Sequence, residues 1–132
     1  MGEEEAGALG EKFNEQAGMA SRRHDMASEE EKRARLIEFL DKMVFDPVLR
    51  ADDSKYDKND RKKLADVKRS TENEKRRFHD DYRSAIAVKQ NYLSDLNSQT
   101  AAKKNKELED LGLPRMYQIR DDFLKLCDQI HV

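Results

Sequence analysis

From residue 19 onward the chain carries a single glycine, Gly112, and two prolines, Pro47 and Pro114. That scarcity of turn-formers constrains the fold more than anything else in the sequence. A sandwich or barrel needs turn signals about every 8–12 residues, and a parallel sheet needs loop residues between every strand and helix. Uninterrupted polar–apolar repeats without breakers belong to helices. Charged residues make up 41% of the chain and hydrophobic ones 36%, with no tryptophan. Helices of this composition have narrow apolar stripes and broad solvated faces. An all-α fold follows.

The first 30 residues differ from the rest. They hold eight acids and three bases, a net charge of −5, so residues 31–132 carry +3 of the total of −2. Apolar residues there are scattered (Leu9, Phe13, Met19). Residues 1–27 are expected to form a flexible acidic arm and residues 28–132 a helical domain. The arm has no apolar h-region, so it does not read as a secretory signal, and its acidity argues against a transit peptide. Gly2 is followed by Ala6 where an acylation signal has Ser or Thr. No apolar run approaches the 18 or so residues of a membrane helix, so no membrane role is expected. One cysteine, Cys127, makes no internal disulfide and suits a reducing compartment, cytoplasmic or nuclear.

Three main helices are predicted, at about 29–45, 60–111 and 114–130. The first opens at Ser28-Glu29-Glu30-Glu31, a capping box in which the serine hydroxyl and the fourth residue's carboxylate each take the other's backbone N–H. Leu36, Ile37, Leu40, Met43 and Val44 recur at helical spacing. Pro47 is expected to stop this run, since the residue before proline avoids the helical region, and Asp46 to cap a short turn through Leu49.

Taking about 100° per residue, Leu64, Val67, Thr71, Phe78, Tyr82, Ala85, Ile86, Leu93 and Leu96 share one face of the second helix. Gly112 is placed for a left-handed ending with Leu113 packed on Leu108, and Pro114 forbids continuation. In the third helix Met116, Ile119, Phe123, Leu126 and Ile130 alternate by three and four, a coiled-coil-like pattern.

An unbroken helix of about 50 residues is roughly 75 Å long, whereas the flanking helices reach roughly 25 Å each. Either the chain forms elongated helical hairpins whose aromatic middle is covered by another molecule, or the long helix breaks near Ser98 and a compact bundle results. The first solution is preferred. It makes Phe78, Tyr82, Ala85, Tyr92 and Leu96, with Met116, Ile119, Phe123, Leu126 and Ile130, the expected partner-binding surface.

No catalytic constellation or cofactor motif is legible. Cys127 and His131 are four apart, but zinc takes about four ligands, and His24 and His79 supply no matching pair. Residues 61–77 hold eight bases and three acids. Lys62, Arg69, Arg76 and Arg83 recur every seven residues, a spacing that could track phosphates. Asp66 and Glu72 stand where they would pair with Arg69 and Arg76, and no aromatic residue interleaves the stripe to stack bases. The reading is a non-enzymatic helical interaction or assembly module, a small subunit or adaptor that binds a protein partner or itself. A nucleic-acid-associated factor using the basic stripe is the alternative.

Overall fold

The computed structural model describes residues 28–114 and 118–132. The expected acidic arm (1–27) and Met116 lie outside the described residues. All regular structure among them is helical: α1 (Glu29–Leu40), a π-helical turn (Asp41–Phe45), α2 (Asp46–Leu49), a 3₁₀ turn (Asp53–Lys55), α3 (Lys58–Asp80), α4 (Ala85–Leu96), α5 (Gln99–Asp110) and α6 (Arg120–Gln129). The all-α expectation holds. No helix among the described residues is long and apolar enough to cross a membrane.

Contacts divide the described chain into two units, residues 28–32 with 128–132, and Arg33–Cys127. The smaller contains the capping box, which forms as expected. Ser28 N–H donates to Glu31 Oε1 at 2.9 Å, and Glu31 N–H donates to Ser28 Oγ at 3.1 Å. In the same unit Lys32 Nζ donates to the His131 carbonyl at 3.3 Å, and His131 takes a left-handed φ of 60° just past the end of α6.

In the larger unit the first helical run does not stop at Pro47. Proline within an α-helix clashes with the carbonyl four residues back and lacks a donor. Here the chain widens beforehand, with Asp46 N–H reaching back five residues to the Asp41 carbonyl. π-Helical bonding is rare and occurs mostly as such single turns inside α-helices. Asp46 does not cap α2 with its side chain. Its carboxylate instead accepts from Lys75 Nζ of α3 at 2.8 Å, a bond that holds the lysine above its usual pKa.

The expected helix over 60–111 is interrupted twice, at residues 81–84 and at Asn97-Ser98. Each new start has its own cap: Asp57 accepts from Asp60 N–H, Ser84 from Ala87 N–H and Ser98 from Ala101 N–H. The last ending is the Schellman motif that the sequence predicts. Gly112 has φ 72°, Leu113 N–H donates to Leu108 at 2.9 Å and Gly112 N–H to Glu109 at 3.0 Å. Leu113 packs on a cluster of Val48, Leu64, Val67, Leu108 and Leu111, which joins α2 and α3 to the end of α5.

These breaks shorten the longest helix to 23 residues, and the chain covers its own aromatic middle. Phe78, Ala85 and Tyr92 are buried without a second molecule, which overturns the preference for intermolecular cover of that stretch. Phe78 meets Phe45 of the π turn at 5.7 Å, and Tyr92 meets Phe123 of α6 at 4.6 Å. Phe123 also touches Phe39 of α1 at 6.0 Å.

One long-range staple sets where α3 ends. Arg33 of α1 donates to the carbonyls of Phe78, His79 and Tyr82 at 3.2, 2.5 and 2.6 Å. The first two are acceptors that a helix ending leaves without intrahelical donors, the Tyr82 carbonyl lies just past that ending, and a cation is favoured at that end of the helix dipole. Arg33→Ala should therefore cost about 2–3 kcal/mol and lower the melting temperature by roughly 10 °C. Arg33→Lys should recover less than half of the loss, because an ammonium lacks the planar fork. An alanine variant melting within a degree or two of the parent would show that the staple is idle.

Candidate functional site

The α3 residues that face the interior are Leu64, Val67, Thr71, Glu74 and Phe78, spaced three, four, three and four. Those of α5 are Ala101, Lys104, Asn105 and Leu108. Where α3 meets the end of α5 the seam is apolar, through Leu64, Val67 and Leu108. Toward the start of α5 it becomes polar, and there lies a cavity of about 290 Å³ lined by residues of α3, α4 and α5 together with the Ser98 cap.

Four charges meet in it: Glu74 and Arg77 from α3, Asp95 from the last turn of α4 and Lys104 from α5. Lys104 Nζ donates to Glu74 Oε1 at 3.1 Å, with only 10% and 9% of the two side chains exposed. Arg77 Nη2 stands 3.9 Å from Asp95 Oδ2, too far for a hydrogen bond, and that oxygen is buried without a partner. Burial, and then the neighbouring Glu74 charge, push the Asp95 carboxyl up to about 6, while Arg77 opposes the rise. Burial first and Glu74 second also hold the Tyr92 phenol well above its usual range. Thr71 Oγ1, buried one turn from Glu74, lacks a partner as well.

The two serine hydroxyls beside these charges are tied to backbone. Ser98 Oγ donates to the Asp95 carbonyl at 2.7 Å, and Ser70 Oγ to the Val67 carbonyl at 3.3 Å. None of the lining residues is a histidine or cysteine. What this arrangement offers is a proton site near pH 6 inside a group of charges that otherwise balance.

The structure disperses the residues expected to bind partners. Phe78, Ala85, Tyr92, Ile119, Phe123 and Ile130 are buried; Tyr82, Leu96 and Leu126 are half-buried. The buried residues of α6 are Phe123 and Cys127, so Cys127 and not its neighbour Leu126 continues that stripe. No cluster of three or more His, Cys, Asp or Glu suited to a metal occurs among the described residues.

Of the basic stripe, Lys62, Arg69 and Arg76 lie exposed on α3, but Arg83 falls beyond the helix end. The four therefore do not share one helical face, because the heptad count does not survive the break at Asp81. Arg69 pairs with Asp66 at 3.1 Å as expected, whereas Arg76 bonds Asn73 rather than Glu72.

The four-charge cavity escaped the sequence reading. Its signal was Glu74, a charge at a stripe position between Thr71 and Phe78, with Lys104 at the matching place between Ala101 and Leu108. No protein-family model matches the chain, and neither a curated protein nor a solved structure matches it.

Proposed function

We propose that the chain is a non-enzymatic helical interaction or assembly module, a small subunit or adaptor, whose contact surface includes the elbow between α3 and α4. The observation that carries this reading is Ile86. At 48% exposure it is the one large hydrophobic side chain left exposed among the described residues. It lies in the first turn of α4, within four residues of the half-buried Tyr82 and the exposed Arg83. Tyrosine and arginine are over-represented among the residues that anchor protein contacts. The charged outer faces of α3 and α5 support the same role, since solvated helix faces form rims rather than reaction centres.

Equilibrium sedimentation at low and high concentration, together with affinity purification from the native source, tests the proposal. The expected result is either self-association or a stoichiometric partner, lost in Ile86→Asp while helicity is retained. A monomer at all concentrations, with the same co-purifying proteins for parent and variant, would overturn it.

The alternative, a nucleic-acid-associated factor, is supported by the exposure of Lys62, Arg69 and Arg76 on α3. It requires retardation of duplex or single strands at about 50 mM salt that weakens steeply as salt rises. Changing Lys62, Arg69, Arg76 and Arg83 to glutamate should abolish that binding. Absence of retardation by the parent protein removes this reading.

A further inference from the structure

We propose that the seam joining α3, α4 and α5 is a proton-operated clasp: a proton held between Asp95 and Glu74 fastens the last turn of α4 to α3, and its loss loosens the Asn97-Ser98 elbow. Two helices contribute the charged groups that face Asp95. Glu74 and Arg77 come from α3 and Lys104 from α5, while Arg120 of α6 acts on Tyr92, one turn before Asp95. Lys104 is committed to Glu74. Arg77 comes no closer to Asp95 Oδ2 than 3.9 Å. Asp95 is therefore left facing a second carboxylate with no cation in hydrogen-bond contact with its buried oxygen.

Glu74 and Asp95 line one cavity, and neighbouring carboxyl groups share one proton readily, because both cannot ionise without strong repulsion. When Asp95 carries the proton it donates to Glu74, and α4 is bonded to α3. When it does not, the two carboxylates repel and the buried oxygen needs water. The cavity beside them supplies room for water to enter, so the relief is local and the bundle need not unfold.

The elbow is built to respond. Only Asn97 and Ser98 separate α4 from α5, and Ser98 both caps α5 and bonds the Asp95 carbonyl. The elevated carboxyl of Asp95, lifted from 3.8 to about 6 chiefly by burial, supports this geometry and sets the window. Its folded-state value lies above its unfolded one, so the folded chain binds more protons between about pH 4 and 6. Stability and closure from this group are greatest at the acid side of that window and decline as pH rises to about 6. Above it the seam is at its loosest.

Hydrogen exchange of backbone amides in residues 92–101, corrected for intrinsic rates and measured at pH 5 and pH 7.5, tests the clasp. Protection in the full-length protein should fall by roughly tenfold from the lower to the higher pH, the equivalent of about one pKa unit of linkage. Asp95→Asn keeps a hydrogen-bond donor and has no charge, so its protection should be high and equal at both values. Asp95→Ala has neither, so its protection should be low at both. A carboxyl NMR titration of Asp95 should have its midpoint near 6. Protection in the parent protein that does not change with pH overturns the clasp, as does the same change in Asp95→Asn. So does alanine protecting as well as asparagine, or an Asp95 midpoint near 4.

Discussion

Phe123→Asp is expected to leave the chain largely unfolded at room temperature. Phe123 is fully buried in α6, with its ring against Phe39 of α1 and Tyr92 of α4. Deleting a buried phenylalanine side chain already costs about 3–5 kcal/mol. A carboxylate in its place adds several more, since it must either ionise in an apolar site or take up a proton. Against a domain stability of about 5–15 kcal/mol, that sum removes most or all of the margin. Phe123→Leu, which keeps an apolar occupant, should fold and melt at a lower temperature. Circular dichroism with a thermal melt reads both variants. Native helicity and an unchanged transition in Phe123→Asp would show that α6 does not pack where the structure places it.

Lys104→Ala is the second large effect, and its size should depend on pH. Breaking one side of a buried ion pair costs about 3–5 kcal/mol, because the remaining charge is stranded. Here the stranded group is Glu74, with Asp95 already beside it and only Arg77 left to offset the two carboxylates. The site relieves itself by binding a proton. The loss should be largest above pH 7, where both acids are forced to ionise, and smaller near pH 5, where one proton is available.

A double replacement, Glu74→Leu with Lys104→Met, should come much closer to the parent, since swapping a buried pair for apolar residues is often neutral or stabilising. It should also reduce the dependence on pH without removing it, because Asp95 then has no carboxylate to share a proton with but is still raised by burial. Urea titrations at pH 5 and 7.5 distinguish the cases. Equal losses for the single and double variants would mean that the ion pair itself stabilises the seam, rather than the stranded charge being what destabilises it.

What could be read in advance was whatever depends on a few neighbouring residues. The box at Ser28 and Glu31 needs one turn of helix, and the Schellman ending at Gly112 needs six residues; both formed as read. The break at Asn97-Ser98 was legible as one of two options, because a serine cap is a local device. Ser84 had the same chemistry in front of Ala85, yet the apolar face ran through it from Phe78 to Ile86 and disguised the stop. Periodicity registers which residues want burial, and it continues across a break if the next helix wants burial too. At Pro47 the local rule was overruled in the other direction, since the π turn before it carries the helical run through the proline.

The sequence by itself determined that this chain is helical, where its first described helix begins and its fifth ends, and which side chains seek the interior. Those are consequences of backbone hydrogen bonding, capping and the 3.6-residue repeat, all short in range. Only the tertiary structure decided that Arg33 caps α3 from 45 residues away, that the aromatic middle is covered by the chain's own helices, and that Glu74 and Lys104 meet across 30 positions. A charge on an amphipathic helix looks the same whether water or another helix lies beyond it. Its energetic role is set by the dielectric and the partners around it, and those exist only once the helices have packed.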